Sequence, residues 1–285
     1  MSSFLPAHST SSAPSAAPAA AADDRVAQIV GTLRAAGCVF AEEEAQLLVD
    51  AATSPADLAG KVEQRVSGLP LEHVLGWAGF CGLRIAVDPG VFVPRQRTEF
   101  LARQAMALAV RTGRTPTVLD LCCGSGAVGA ALAAALDRIE LHAADIEPAA
   151  VRCARRNLTM GQVYEGDLYR PLPRELAGRI DVLVANAPYV PTGAIGLMPP
   201  EARLHEPRVA LDGGDDGLDV LRRVIGEAPR WLAPGGSLLV EASAQQAPLA
   251  VETIIGSGFS AQIVTSEELD ATVVIGTSRG RELPG

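Results

Sequence analysis

The chain has 285 residues, which is long enough for one large domain or two smaller ones. Its 24 basic and 33 acidic residues give a net charge of −9, which disfavours a direct nucleic-acid partner because such binding depends on Lys and Arg at phosphates. The apolar runs are too short to cross a bilayer and the cysteines lack paired metal-ligand spacing, so we expect a cytoplasmic protein with no membrane partner, no metal site and reduced thiols.

The N-terminal part of the chain divides into a tail and a helical region. Residues 1–22 are almost entirely Ala, Ser, Pro and Thr, and such a segment buries too little apolar surface to become ordered, so we predict a disordered tail. Residues 23–76 have apolar side chains at helical spacing and are interpreted as a small domain, either a cap or a substrate-docking surface. The predicted helices run from about residue 26 to near Gly37, over 42–52, and from 54 to about 66.

Residues 77–97 predict a β-hairpin that links this region to the rest of the chain. We expect the two strands to be 79–87 and 91–94, on either side of the Asp88-Pro89-Gly90 turn. Helical spacing returns over 95–110.

Residues 98–285 alternate strand and helix patterns, which indicates a doubly wound, Rossmann-like α/β domain with a mostly parallel sheet. The short connection before the last strand predicts an antiparallel ending, because parallel pairs need a longer crossover. Predicted strands are 117–121, 139–145, 162–165, 180–185, 237–242, 260–264 and 272–277, and predicted helices are 126–136, 148–158, 218–232 and 246–256.

A Gly-x-Gly-x-x-Gly motif at Gly124, Gly126 and Gly129 follows the first of these strands and opens a helix. This pattern places a nucleotide-like ligand at a helix N-terminus, but it fits several such ligands. Asp120, at the end of the strand, suits the cationic amino group of a methionyl moiety and is a poor neighbour for a pyrophosphate.

Two further acids follow at the ends of the next strands. Asp145 could accept both ribose hydroxyls, and Asp167 could accept the adenine amine while Leu168 packs on the base. A lone Asp is often a helix cap, but three at successive strand ends favour S-adenosylmethionine over NAD. The predicted cofactor residues are Asp120, Cys122, Cys123, Gly124, Ser125, Gly126, Asp145, Ile146, Asp167, Leu168 and Asn186.

The tetrapeptide Asn186-Ala187-Pro188-Tyr189 follows strand 180–185 and is the predicted catalytic and substrate-binding motif. The Asn186 side-chain carbonyl and the Ala187 backbone carbonyl could accept the two N–H groups of an amide or amine and orient its lone pair. Tyr189 offers an aromatic face to a flat group. Glu99 and Glu206 are predicted to line the same pocket, with loop salt bridges as the alternative.

These motifs resemble the release-factor glutamine N-methyltransferases, the HemK-type family, over about residues 24–277. The resemblance implies a helical domain joined by a hairpin to a methyltransferase domain. It also implies methylation, with S-adenosylmethionine, of the glutamine amide in the Gly-Gly-Gln loop of a peptide-chain release factor. We further expect the protein to be a monomer. The segments that carry the resemblance are 71–76, 90–95 with Thr98-Glu99, 118–126, 186–189, 206–207, 210–214, 216–219, 234–236 and Glu241.

The chain departs from the family pattern at two places near the expected site. Ala187 stands where the family usually has a proline, and Gln96-Arg97 stands where Pro-Glu is usual. Two other functions stay open from the residues alone: an amino-methyltransferase of adenine or another nucleobase, and a cofactor-binding module without turnover.

Overall fold

The computed structural model describes residues 17–278, in two compact units that divide after Ser67. In the first unit, helices α1 (Ala17–Ala35), α2 (Ala41–Ala51) and α3 (Pro55–Val66) contact one another. Helix α1 already begins at Ala17, so the prediction of disorder is wrong for 17–22, where an alanine run favours helix. Residues 1–16, the rest of the predicted tail, lie outside the described residues.

The first unit is held together by a small apolar core and one buried ion pair. Leu33 and Leu48 are fully buried between the helices. The Arg65 guanidinium bonds the Glu44 carboxylate at 2.6 Å, and both residues are buried, so each charge is compensated inside the unit.

The second unit opens with helix α4 (Leu71–Leu75) and an antiparallel hairpin of β1 (Trp77–Phe80) and β2 (Leu83–Ala86). The predicted hairpin turn at 88–90 is wrong. The chain turns at Cys81-Gly82, whose φ angles of 48° and 75° suit a tight hairpin turn. The segment after Gly90 is irregular rather than a strand and runs toward the cavity described below.

The predicted α/β domain is confirmed as a seven-stranded sheet of order β5-β4-β3-β6-β7-β9-β8. Strands β3 to β7 are parallel, and β9 is antiparallel to β7 and β8, as the short final connection predicted. The strands are β3 (Thr117–Leu121), β4 (Glu140–Asp145), β5 (Gly161–Glu165), β6 (Ile180–Ala185), β7 (Leu232–Glu241), β8 (Phe259–Ser266) and β9 (Ala271–Ser278). The helices are α5 (Thr98–Arg111), α6 (Ala127–Ala135), α7 (Pro148–Asn157), α8 (Pro200–His205), α9 (Asp219–Trp231) and α10 (Ala247–Gly256).

Both faces of the sheet are buried. In β6, Val182 and Val184 belong to the apolar cluster with α5 and α6, and Leu183 belongs to the cluster with α9 and α10. This explains why the central strands are continuous apolar runs. It also leaves their carboxyl ends as the open edge of the layer, where ligands bind in such folds. Within residues 17–278, none of the helices is long and apolar enough to cross a membrane.

Candidate active site

One cavity lies at the carboxyl ends of β3, β4 and β6, and most of the predicted site residues line it. All residues of the predicted cofactor set except Gly126 contribute to its wall, as do the four residues of the Asn186–Tyr189 motif. The lining also includes Phe92, Pro94, Arg95, Arg97 and Thr98, from the segment that follows the hairpin.

Gly124, the first glycine of the motif, lines the cavity. Gly124 has a φ of 55° and open space around the position of a Cβ, so its backbone can approach a ligand closely. Its N–H donates to Asp145 Oδ2 at 2.8 Å, which ties the loop after β3 to the end of β4. Cys122 has a φ of 55° and Leu168 one of 50°, backbone conformations that are strained for these residue types and that occur here at the cavity wall.

Asp120 is buried, and its Oδ2 accepts the Gly129 N–H at 3.0 Å. Burial raises the pKa of Asp120 to about 7, although the Gly129 hydrogen bond opposes the shift, and repulsion from Asp145 adds to it. A cationic ligand would therefore stabilise the ionised form of this carboxyl.

Asp145 accepts one backbone N–H on each oxygen, from Gly124 on Oδ2 and from Glu147 on Oδ1 at 2.9 Å. Burial raises the pKa of this carboxyl too. Each oxygen can accept a second hydrogen bond, so the carboxylate can still bind the ribose hydroxyls as predicted. Ile146 follows it, half exposed, on the cavity wall.

Asp167 forms an ion pair that the sequence did not suggest. Arg223 from α9 donates through Nη2 to both carboxylate oxygens, at 2.8 and 2.7 Å. Both residues line the cavity beside the buried Leu168. An adenine amine would thus meet a carboxylate that is already paired with a guanidinium.

The thiols of the loop are poor nucleophiles. Burial raises the pKa values of Cys122 and Cys123 well above that of an ordinary thiol, and the nearby carboxylates raise them further. The loop cysteines and the buried Ser125 therefore contribute packing and backbone shape to the cavity rather than chemistry.

At the other end of the cavity, Asn186 donates through Nδ2 to the Thr98 hydroxyl at 3.3 Å. This is the only hydrogen bond of the Asn186 side chain to any described residue, so its carbonyl oxygen keeps its acceptor capacity. Tyr189 donates its hydroxyl to Glu241 Oε1 at 3.2 Å. Burial raises the pKa of Tyr189 to about 12, so the phenol is neutral at physiological pH.

The loop 211–219 supports the motif from behind. Val190 N–H bonds Leu211 O at 3.0 Å, and Gly213 N–H bonds Val190 O at 2.9 Å. Gln246 Nε2 donates to Tyr189 O at 2.9 Å. A Cβ at Gly217 would overlap the Tyr189 carbonyl oxygen, so the two backbones pack without an intervening side chain.

Glu99 and Glu206 do not line the cavity. Glu206 is buried, bonds the Arg95 guanidinium at 2.6 and 2.7 Å, and accepts the Val93 N–H. Glu99 accepts the Cys81 N–H at 2.8 Å and pairs with Arg103. These contacts support a role in holding the segment after the hairpin, and a direct contact with substrate stays a prediction.

Comparison with known proteins places this geometry in a family. The model of the methyltransferase small domain matches residues 82–198. A release factor glutamine methyltransferase of Geobacter sulfurreducens is 38% identical over 214 residues, which cover 73% of this chain and 72% of the relative. The chain belongs to the release factor glutamine methyltransferase family. It is a methyltransferase, and its methyl donor is S-adenosylmethionine.

Other proteins that this chain resembles are named for different acceptors. A 4-amino-L-phenylalanine/4-methylamino-L-phenylalanine methyltransferase of Streptomyces pristinaespiralis is 39% identical over 191 residues, 65% of each chain. The structure of a T. thermophilus 16S rRNA methyltransferase, in complex with AdoMet and guanosine, superposes with a TM-score of 0.50 at 23% identity, covering 71% of this chain and 50% of that one. The superposition supports the Rossmann-like fold of this family member.

The cavity of this methyltransferase fits the cofactor of its family. Asp120 presents a buried carboxylate and Asp145 a half-buried one, and together they suit a ligand that carries an ammonium and a sulfonium charge. Gly124 leaves open space at the helix end, and Ile146 and Leu168 provide apolar walls for a base. The sequence missed Arg95, Arg97, Thr98, Arg223 and Glu241 as parts of the site.

Proposed function

We propose that this enzyme methylates the side-chain amide nitrogen of a glutamine in a peptide-chain release factor, within the Gly-Gly-Gln loop. The observation that carries the proposal is the orientation of Asn186, whose Nδ2 is held by Thr98 while its carbonyl oxygen has no protein partner among residues 17–278. An amide acceptor supplies the two N–H groups that this oxygen and the neighbouring Ala187 carbonyl can take.

The protein's contribution to the reaction is chiefly positioning. An amide nitrogen is a weak nucleophile because its lone pair is delocalised. Two carbonyl acceptors that hold its N–H groups orient the nitrogen and favour its pyramidal form. When bound, S-adenosylmethionine supplies an electrophilic methyl group. The N–C bond would form as the methyl–sulfur bond breaks, with S-adenosylhomocysteine as the leaving group, and one N–H proton of the amide would go to solvent.

The assay that tests this function measures transfer of labelled methyl from S-adenosylmethionine to purified release factor. We expect labelling by the wild type, and a loss on the order of 100-fold in Asn186→Ala while cofactor binding persists. A release factor that stays unlabelled, with a cofactor-loaded and folded enzyme, would contradict the proposal.

A free aromatic amine is the second candidate acceptor. The acceptor end of the cavity holds the aromatic rings of Phe92 and Tyr189, with the guanidinium groups of Arg95 and Arg97 4.7 and 5.9 Å from the two ring centroids. Such a pocket suits a flat amino acid with a carboxylate, the kind of substrate that the Streptomyces relative is named for. Adding 4-amino-L-phenylalanine and an adenine-containing oligonucleotide to the assay ranks these acceptors directly.

The proposed substrate has consequences for partners and location. We propose that the enzyme acts in the cytoplasm as a monomer on a protein partner, and that residues 23–76 dock that partner. Val39 and Phe40 support the docking role because they are 83% and 67% exposed, although both are large and apolar. The net charge of −9 supports a protein rather than a nucleic-acid partner.

A further inference from the structure

Glu241, at the end of β7, lies beside the Asn186–Tyr189 motif although it comes from a different strand. In the parallel register Ala185 pairs with Val240, so the residues that follow them, Asn186 and Glu241, lie side by side at the end of the sheet. Glu241 is only 2% exposed, which makes it a buried carboxyl at the edge of the acceptor site.

Three groups around the cavity converge on this carboxyl. Tyr189 donates its hydroxyl to Oε1 at 3.2 Å, and Arg97 approaches the same oxygen through Nε at 3.4 Å. Burial raises the pKa of Glu241, and the nearby Thr98 hydroxyl is the strongest effect that opposes the rise. Glu241 Oε2 is buried and has no hydrogen-bond partner among residues 17–278, so it is the oxygen that is open to the Thr98 hydroxyl.

Thr98 connects Glu241 to the side chain that meets the substrate. Its hydroxyl oxygen accepts Asn186 Nδ2–H at 3.3 Å, which leaves the hydroxyl hydrogen for the carboxylate. The hydrogen bonds therefore point one way: Asn186 donates to Thr98, and Thr98 donates to Glu241. They fix the amide of Asn186 with its nitrogen toward Thr98 and its oxygen available to an acceptor amide.

We propose that Glu241 is a positioning residue for the methyl acceptor. It orients Asn186 through Thr98 and it orients Tyr189 directly. Arg97 balances its charge. The proposal rests on the proposed function, because it assigns these residues to the acceptor end of the same cavity. Arg97 has a side chain that is 45% exposed, so it can neutralise the buried carboxylate from the cavity mouth.

A matched pair of substitutions at Thr98 separates this role from simple packing. Thr98→Val keeps the shape and removes the hydroxyl, whereas Thr98→Ser keeps the hydroxyl and loses a methyl group. We expect kcat with release factor to fall on the order of 100-fold in the Val variant and to recover in the Ser variant, with the KM for S-adenosylmethionine unchanged in both. Equal losses in the two variants would overturn the hydrogen-bond role.

Glu241→Gln tests the carboxylate with little change of volume. A glutamine at this position has an NH2 group in place of one carboxylate oxygen, and this group cannot accept a hydroxyl hydrogen, so one of the two acceptor atoms that face Tyr189 and Thr98 is lost. We expect a loss of kcat similar to that of Thr98→Val, and the double variant should lose little more than either single one because the residues act as a unit. Additive losses would contradict a shared path through Thr98.

A readout that needs no acceptor completes the test. The side-chain amide signals of Asn186 in ¹⁵N-edited spectra of the cofactor-loaded enzyme, assigned with Asn186→Ala, should shift and lose exchange protection in Thr98→Val and Glu241→Gln. They should stay near the wild-type positions in Thr98→Ser. Unchanged signals in all three would overturn the positioning role. Shifted signals together with a wild type that labels no release factor would keep it and reject the proposed substrate.

Discussion

Asp120 makes cofactor binding depend on pH. Its pKa is raised to about 7 by burial, and a cationic ligand needs its ionised form. We expect the affinity for S-adenosylmethionine to increase about tenfold from pH 6 to pH 8 because of this group. Asp120→Asn should bind more weakly and lack this component. Titration calorimetry measures the affinity of both proteins at each pH, and the comparison removes the effect of the cofactor's own amino group, which is the same for both. An equal change of affinity with pH in the two proteins would contradict the role of Asp120.

The same carboxyl has the opposite effect on the cofactor-free protein. Its folded-state pKa of about 7 lies above the unfolded value of about 3.9, so its contribution to stability is greatest at low pH and is lost as pH rises through this window. Asp120→Asn should therefore gain stability relative to the wild type between pH 5 and pH 8. Urea unfolding at pH 5 and pH 8 measures the difference in free energy of unfolding between the two proteins. The same difference at both pH values would argue against the raised pKa.

Ala187 is expected to be a tolerated departure from the family's proline. The mechanism uses only the backbone carbonyl of residue 187, so Ala187→Pro should keep kcat within about fivefold, the equivalent of roughly 1 kcal/mol. Single-turnover rates with release factor check this. A much larger change in either direction would mean that the side chain at 187 itself shapes the acceptor site.

Among the larger elements, the loop 211–219 is the support of the catalytic motif. Gly217 has a φ of 78°, and a Cβ there would strike the Tyr189 carbonyl oxygen. Gly217→Ala should therefore lower activity and destabilise the second unit by about 1–3 kcal/mol. Gly226→Ala is the matched control, since helix α9 leaves open space there and alanine is the better helix former. The measurements are the thermal unfolding and the kcat of both variants. Similar losses of stability and activity in the two variants would refute the role of this loop as a support of the motif.

The elements were largely predictable because their signals are local. The limits of α3, β3 and β6 follow from a capping Ser-Pro pair and from apolar runs, and each was predicted within a residue. The hairpin turn at Cys81-Gly82 was missed because Asp88-Pro89-Gly90 is the stronger local turn signal. Turn type is settled instead by the twist of the paired strands.

The polar contacts of the site were less predictable, because they join residues far apart in sequence. Glu241 meets Tyr189 across two neighbouring strands, and Arg223 reaches Asp167 from α9. One signal was available: Arg97 places a cation where the resemblance leads one to expect an acid. It indicates that an opposite charge, such as Glu241, lies nearby.

For the molecule as a whole, the first unit is where we expect the protein substrate to dock. Phe40→Ser should raise the KM for release factor about fivefold to tenfold and leave cofactor binding unchanged, because one exposed aromatic can contribute that much to an interface. Val110→Ser, at a similarly exposed apolar position in the second unit, is the control. Equal KM values for the wild type and both variants would remove the docking role from this surface.

The central claim is that Asn186 aims a glutamine amide of a release factor at the methyl donor. Its most direct test is mass-spectrometric mapping of release factor after incubation with S-adenosylmethionine and either wild type or Asn186→Ala. We expect one added methyl group on the Gly-Gly-Gln glutamine with the wild type, and its near absence with the variant. Methyl groups on other residues, or equal labelling by the two enzymes, would contradict it.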